Sequence, residues 1–236
     1  MNRTTGRWTT AVIVLLTSLA PIREVAAQWA SNAYGVAEGD TKNTWLLLAG
    51  VTASPKALGI QPVVGLQAYW LGYDVGSSRT NVTAFRPGVG LGYNYNGGSL
   101  DGTIGYQFSS GRNGNAPVAG TTVGRGVDVA GDWEYWGTGG PLGYQALADY
   151  NFGGKSFWGR GRVTTRVSHH GPSQMRVGGE VAYLEAPGYN AWQPGGVVEW
   201  HFAGGQILGL GAGGKFQNTG GTAAYFRVEG LLPIAR

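Results

Sequence analysis

Apolar and polar residues alternate with a period of two through a long stretch in the second half of the chain. Between Phe157 and Val167 the odd-numbered positions are mostly apolar or glycine, whereas the even-numbered positions are mostly bulky or charged. A turn-forming segment follows at 169–172, and the alternation resumes from Met175 to Tyr183. Alternation of this length predicts two β-strands, each with one apolar and one polar face.

Segments of this kind recur along the chain between turns such as Asn96-Gly97-Gly98. The series predicts an all-β protein, either a soluble β-sandwich or a transmembrane antiparallel up-and-down β-barrel whose polar faces line the lumen. Counting a weak first segment gives 12 strands, an even number as bacterial barrels have, and 10 strands with a free N-terminal tail is the alternative. The predicted strands are 28–38, 43–54, 60–74, 81–95, 100–110, 127–137, 142–152, two within 156–185, 191–202, 207–217 and 222–232.

The order of the strands also sorts their connections between the two sides of a membrane. If the first strand starts in the periplasm, the periplasmic turns are 55–59, 96–98, 137–141, 169–173 and 204–205. The extracellular connections are then 39–42, 75–80, 111–126, 153–155, 186–190 and 218–221. The longest connection falls outside the cell, where outer-membrane barrels carry their longer loops, and this agreement favours the barrel.

The first 27 residues have the pattern of a secretory signal peptide. Arg3 and Arg7 precede an apolar run at 11–19, and small residues at 25–27 precede Gln28. The apolar run is shorter than the roughly 20 residues that a membrane-spanning helix needs. We therefore expect residues 1–27 to be a cleaved signal peptide, and residues 28–236 to form one domain in the outer membrane of a Gram-negative bacterium.

Composition agrees with a barrel. The chain has 44 glycines, many of which alternate with apolar residues, and glycine at lumen positions leaves room for large neighbours and lets a sheet curve. The 9 tryptophans and 12 tyrosines suit the aromatic girdles of a barrel. The absence of cysteine excludes disulfides and thiolate metal sites. Without residues 1–27 the chain keeps 14 of its 17 basic and 12 of its 13 acidic residues, a near-neutral balance that does not favour nucleic-acid binding.

The polar faces of the predicted strands define the candidate lumen-lining residues. Mixed charges on adjacent strands predict salt-bridged pairs that fill the interior as a polar plug. The alternative is a passage or cleft in which the arginines attract an anionic or hydroxyl-rich ligand, with two tryptophans available to stack on sugar rings. The candidates are Asp132, Glu134, Trp136, Asp149, Trp158, Arg160, Arg162, Arg166, Arg176, Glu180, Glu199, His201, Arg227 and Glu229.

One group of residues invites an enzymatic interpretation. His169, His170, Ser173 and Glu180 resemble in type the His, Ser and Glu of outer-membrane lipid A deacylases, but their spacing differs from that family. Two adjacent histidines also lack a third ligand for a metal site. We therefore predict no catalytic residues, no metal site and no cofactor.

Five stretches of the C-terminal half carry a family resemblance. They are 144–152, Trp158-Gly159-Arg160, 176–180, 189–192 and 220–226. Their spaced Gly, Trp, Arg and Glu residues resemble the BcsS-like cellulose biosynthesis proteins, which are exported proteins of about this length regarded as outer-membrane barrels. The resemblance implies a role in the biosynthesis or secretion of an exopolysaccharide such as cellulose at the cell surface. It also implies partners, namely outer-membrane lipid, polysaccharide and cellulose-synthesis components.

Two other functions stay open at this point. A structural or adhesive surface barrel would have a lumen sealed by pairs of arginine and acidic residues. A lipid A-modifying barrel enzyme would place Ser173 beside an oriented histidine. A lumen open to glucan-sized ligands would favour the exopolysaccharide role.

Overall fold

The computed structural model describes residues 29–55, 59–75, 78–113, 116–117, 125–135, 141–218 and 221–235. Within this part of the chain all regular structure is β-strand, and no helix there is long and apolar enough to cross a membrane. The strands are β1 (Trp29–Asp40), β2 (Trp45–Pro55), β3 (Gly59–Val75), β4 (Ser78–Tyr95), β5 (Gly98–Asn113), β6 (Ala116–Pro117), β7 (Gly126–Tyr135), β8 (Leu142–Asn151), β9 (Ser156–His170), β10 (Ser173–Ala186), β11 (Tyr189–His201), β12 (Ile207–Gln217) and β13 (Gly221–Ala235).

Twelve of these strands form one closed antiparallel barrel. Each long strand pairs with its neighbours in the chain, and β1 pairs with β13 to complete the ring. The two-residue strand β6 pairs only with β5 and adds nothing to the wall. Closure leaves no sheet edge with unpaired backbone groups, which is the condition for placing β-structure in lipid.

The predicted barrel is confirmed, including its weak first strand. Because β1 pairs along its length with both β2 and β13, the count is 12, and the alternative of 10 strands is wrong. Several strands are longer than predicted: β4 starts at Ser78 and β5 continues to Asn113, so part of the predicted 111–126 connection is strand. These extensions are polar. A strand can continue beyond the apolar layer of the barrel, where no hydrophobic alternation is present to predict it. The predicted signal peptide, 1–27, lies outside the described residues.

The two faces of the wall have opposite chemistry. Large apolar side chains point outward and are exposed, as with Ile60 at 76%, Leu91 at 63% and Val89 at 58%. Charged side chains point inward and are buried, as with Arg176 at 0% and Glu199 at 1%. A soluble sandwich would bury the first group and expose the second, so the arrangement suits lipid outside the barrel.

Aromatic side chains form a belt near each end of the outer surface. At one end neighbouring rings of Tyr93, Tyr95, Tyr135 and Tyr144 lie 6.0–6.4 Å apart, and the indole of Trp133 donates a hydrogen bond to the Tyr95 hydroxyl at 2.8 Å. Towards the other end, Tyr183 contacts Phe157 and Trp192, with ring centroids 6.2 Å and 4.5 Å away. Such belts sit at the two interfaces of a bilayer.

The pairing of Ser31 with Ala235 places the start of β1 and the end of β13 at the same end of the barrel. We call this the terminal end, and it also carries the short turns at 96–97 and 171–172. At the opposite end, which we call the loop end, lie the described connections at 41–44, 152–155 and 187–188, together with the strand ends at 75, 78, 113, 126, 217 and 221. The parity of the strands therefore groups the connections as the sequence predicted.

The backbones of β9 and β10 lie close together at Gly178, and this contact provides a test of the fold. Gly178→Ala should destabilise the barrel by roughly 1–3 kcal/mol, because its new methyl group would overlap the carbonyl oxygen of Val163. Gly161→Ala is the matched control on the same strand pair, since its methyl group would meet no atom within 4 Å. The free energy of unfolding in urea, measured for protein folded in lipid vesicles, checks this. Equal values for the two variants would contradict it.

Candidate functional site

The alternation of β9 places its even-numbered side chains inside the barrel. Arg162 pairs in register with Glu180 on β10 and with Gln145 on β8, so all three face the lumen. Arg160 lies one step further along the same face and pairs with Leu147 and Ala182. The strand therefore carries two arginines side by side at the middle of the wall.

Arg162 is the centre of a buried ion-pair network. Its Nη2 lies 2.8 Å from Glu180 Oε2, its Nη1 lies 2.5 Å from Glu199 Oε1, and it also pairs with Glu229. These carboxylates belong to β10, β11 and β13, so the guanidinium of Arg162 links β9 to three other strands.

Two further arginines complete this group. Arg227 pairs with Glu180 and has its Nε 3.3 Å from Glu229 Oε2. The Nη1 of Arg160 lies 2.8 Å from the same Glu229 oxygen, and its Nη2 donates to Gln145 Oε1 at 2.7 Å. We call this set the lumen network; its members are Arg160, Arg162, Arg227, Glu180, Glu199 and Glu229.

Glycines on β12 leave space for the network. A Cβ atom at Gly211 would lie 3.1 Å from Arg227 Nη2 and 3.2 Å from Glu180 Oε1, and one at Gly209 would lie 2.7 Å from the Glu229 side chain. Larger residues here would force the charged groups apart. The glycine-rich sequence of β12 is thus explained by its long neighbours.

Burial makes the pairing of these charges obligatory. Arg162 is 4% exposed, Arg227 is 3% exposed and Glu180 is 7% exposed. A carboxylate at such a site costs several kcal/mol unless a cation and hydrogen-bond donors accompany it. Side chains fill the interior of an eight-stranded barrel, whereas a 16-stranded barrel keeps an open channel. In a barrel of 12 strands, the size of the inward-facing side chains therefore decides whether the lumen is closed. Here the network occupies the lumen between β9 and β13.

Residues of β1 and β12 extend the network towards the loop end. Arg227 lies 3.7 Å from Glu38, and Lys215 Nζ lies 3.0 Å from Asp40 Oδ2. The hydroxyl of Tyr225 donates to Glu180 at 3.1 Å. The sequence prediction missed Glu38 and Asp40. After Trp29 the outward face of β1 has only small residues, so no apolar alternation marks the strand, and Asp40 fell in the predicted connection 39–42.

The opposite wall carries a second, more acidic group. Arg86 on β4 pairs with Asp128 on β7, and its Nη1 lies 3.5 Å from Asp149 on β8. Asp132 and Glu134 face the lumen on β7, and Glu134 accepts a hydrogen bond from Gln145 at 2.5 Å. The predicted set missed Arg86 and Asp128, together with Asp101. Their strands do alternate, and applying the same parity to every strand would have found them.

Several predicted residues lie inside the barrel but outside the network. Arg176 is fully buried and donates to Thr164 Oγ1 and to the Pro141 carbonyl, both at 3.0 Å. Arg166 shares its face but lies exposed near the terminal end, so the four predicted arginines do not form one patch. His201 Nε2 lies 3.1 Å from Glu199 Oε2. Trp158 faces the lumen beside Asp149 and Leu184 in register, and Trp136 lies outside the described residues.

The residues considered for catalysis do not assemble a nucleophilic site. Ser173 Oγ accepts a hydrogen bond from the Ala203 backbone N–H at 3.2 Å, and within the described chain it makes none to a histidine. His169 and His170 are exposed near the turn at 171–172, whereas Glu180 is bound within the lumen network. Across the described segments no three His, Asp or Glu side chains are placed to hold a metal ion.

Comparison with known proteins identifies the fold. No family model matches the chain, and no curated protein is similar to it in sequence. Among solved structures, the β domain of the Bordetella autotransporter BrkA superposes with a TM-score of 0.50 at 12% identity, covering 86% of this chain and 98% of that one. The protein has the fold of an outer-membrane β-barrel.

Two other solved barrels show a similar extent of overlap. The KdgM porin has a TM-score of 0.49 at 12% identity and covers 85% of this chain and 97% of its own. The translocator domain of NalP from Neisseria meningitidis has a TM-score of 0.48 at 11% identity and covers 97% of both chains. At identities of 11–12% the likeness concerns the fold alone.

The lumen network leads to a prediction about stability. Arg162→Gln should lower the free energy of unfolding of the barrel by roughly 3–5 kcal/mol, because it removes the one cation that Glu180, Glu199 and Glu229 share. Arg166→Gln removes the same charge from the same face of β9 at an exposed position, and it should change stability by less than about 1 kcal/mol. Urea unfolding followed by tryptophan fluorescence compares the two variants. Similar losses for both would show that the network does not hold the barrel together.

Proposed function

We propose that this outer-membrane barrel supports the biosynthesis or secretion of an exopolysaccharide such as cellulose, acting with a closed lumen and without enzymatic activity. The lumen network is the observation that carries the closed-lumen part. Arg162 joins carboxylates from β10, β11 and β13, and Arg160 reaches from β9 to Glu229 on β13. A glucan passing along this wall would have to separate buried ion pairs, at a cost of several kcal/mol for each.

The exopolysaccharide part of the proposal is supported by the resemblance to BcsS-like proteins. The stretches that carry it fall on β8, β9, β10, β11 and β13. Together with β12, these strands form one continuous section of the barrel wall. Arg160 and Glu180, two residues of the resemblance, belong to the lumen network. The section of the protein that resembles the family is therefore the section that closes the lumen.

The second candidate is a structural or adhesive surface barrel. A lumen sealed by ion pairs is the feature expected of this candidate, and the candidate requires no polysaccharide. The exopolysaccharide role, for which an open lumen was expected, is supported by the family resemblance and would have to be exercised outside the lumen. The geometry of Ser173 argues only against a serine nucleophile at this position, because such a nucleophile needs a hydrogen-bonded base. The two candidates differ in what happens to surface polysaccharide when the protein is absent.

Ion conductance tests the closed lumen. In planar lipid bilayers the wild-type protein should show little steady conductance, whereas the double variant Arg162→Ala, Glu229→Ala should conduct in discrete steps. This variant removes one charge of each sign, so the lumen is widened while its charge balance is kept. Arg166→Ala, at the exposed end of the same face, should behave as the wild type. Large steady conductance of the wild-type protein would contradict the proposal.

Deletion of the gene tests the exopolysaccharide role. In the bacterium that encodes this protein, deletion should reduce cellulase-sensitive surface glucan measured by dye binding, and the wild-type gene should restore it. The Arg166→Ala gene should restore it equally. Unchanged surface glucan would reject this role and leave the structural or adhesive barrel.

A further inference from the structure

A polar pocket lies at the loop end, beside the turn between β1 and β2 and away from the lumen network. Its volume is about 430 Å³. We call it the rim pocket, and the side chains that line it are Asp40, Asn43, Thr44, Trp45, Asp74 and Arg79. It is a shallow depression that is open to solvent, so it could hold one ring or one end of a ligand but not enclose a whole molecule.

Ion pairs and hydrogen bonds hold the polar groups of the rim pocket in place. Arg79 Nη1 lies 2.9 Å from Asp74 Oδ1, and it also donates to the backbone carbonyl of Asn43. Asn43 adopts a left-handed backbone with φ of 60°, and its side-chain amide donates to Asp74 Oδ2 at 3.4 Å. The side chains of Arg79 and Asp74 are still 31% and 40% exposed, so both can contact a ligand.

The turn itself is anchored to the barrel through Asp40. One carboxylate oxygen of Asp40 accepts hydrogen bonds from the backbone N–H groups of Lys42 and Thr44, at 2.8 Å and 2.9 Å. The other oxygen lies 3.0 Å from Lys215 Nζ. Asp40 is therefore a structural group, and the shape of the pocket does not depend on a bound ligand.

Gly72 on β3 lets the indole of Trp45 lie against the wall. Trp45 pairs in register with Gly39 on β1 and with Gly72 on β3. A Cβ atom at Gly72 would overlap the indole ring and would lie 2.7 Å from Arg79 Nη2. The Arg79 guanidinium carbon lies 6.0 Å from the ring centroid, a cation–π distance. The pocket thus combines a flat aromatic ring with a fixed carboxylate and guanidinium.

This combination selects a class of ligand. A free anion is disfavoured, because two carboxylates share the pocket with one arginine. A purely apolar ligand would displace water from the exposed parts of Arg79 and Asp74 without offering these charged groups new hydrogen bonds, which is costly. A sugar ring is uncharged and rich in hydroxyl groups, so it avoids both problems. Its hydroxyl groups can hydrogen-bond to the carboxylate, the guanidinium and the amide, while its C–H face packs on the indole.

We infer that the rim pocket is a carbohydrate-binding site for one end or one ring of a hydroxyl-rich chain. The inference rests on the pocket alone and goes beyond the proposed function. Two sources could supply this chemistry at the loop end: an exopolysaccharide chain, or the saccharide core of an outer-leaflet glycolipid. Two oligosaccharide probes, one for each source, distinguish them.

Saturation-transfer NMR on the folded protein in detergent micelles tests this site. The probes are cellotetraose, for a neutral glucan, and a delipidated lipopolysaccharide core oligosaccharide. At least one probe should receive saturation from the wild-type protein. Trp45→Ala and Arg79→Gln should each weaken its apparent affinity by about tenfold or more, the loss expected when one ring contact or one charged hydrogen bond is removed.

Two further variants separate binding from general effects on the barrel. Trp192→Ala removes another outward-facing, 52% exposed tryptophan from the belt towards the loop end and should bind like the wild type. Gly72→Val keeps every polar group of the pocket but displaces the indole, so it should lose affinity as Trp45→Ala does. All variants are first checked for the heat-dependent gel migration of a folded barrel.

Each outcome decides the inference. Saturation of cellotetraose indicates an exopolysaccharide ligand, and saturation of the core oligosaccharide alone indicates the glycolipid; both support the site. Saturation of neither probe, or binding that survives in Trp45→Ala, would overturn it. Sugar binding in a protein whose deletion leaves surface glucan unchanged would keep the site and reject only the exopolysaccharide role.

Discussion

Arginine side chains that are buried with carboxylates inside the barrel impose the strongest physical constraint on this structure. Arg162 is held between Glu180, Glu199 and Glu229, and these contacts keep four strands in fixed register. A slip of one residue would turn a charged side chain towards lipid and an apolar one towards the lumen. Lipid outside and ion pairs inside therefore select the same register, and each reinforces the other.

Small residues in the wall leave space in the lumen for these long side chains. Gly209 and Gly211 on β12 face Glu229, Arg227 and Glu180, so the smallest residues lie opposite the largest. The same alternation that gives each strand its apolar outer face therefore also sets the shape of the interior. This is why a chain so rich in glycine can form a rigid wall: the space that glycine leaves is occupied by its neighbours.

A barrel with a closed lumen would act at its rim, and the structure connects the two regions. Asp40 holds the turn between β1 and β2 with one carboxylate oxygen, and its other oxygen pairs with Lys215 on the inner face of β12. The turn that shapes the rim pocket is thereby tied to the charged interior. A ligand bound at the rim would meet a preformed surface, for which little conformational entropy has to be lost.

The alternation of residues determined much of this protein by itself. It predicted the 12 strands, the grouping of the turns and the inward direction of residues such as Arg160 and Glu229, because each of these follows from a period of two within a single strand. It missed Glu38 and Asp40, whose strand has only small residues on its outward face after Trp29 and therefore lacks an apolar pattern. Only the tertiary structure decided which charges meet. Arg176 bonds to Thr164 and Pro141 whereas Arg162 gathers three carboxylates, since such partners depend on the closure of the barrel and the width of its lumen. The rim pocket was likewise invisible in the sequence, because Trp45, Asp74 and Arg79 become neighbours only when β2, β3 and β4 pair side by side.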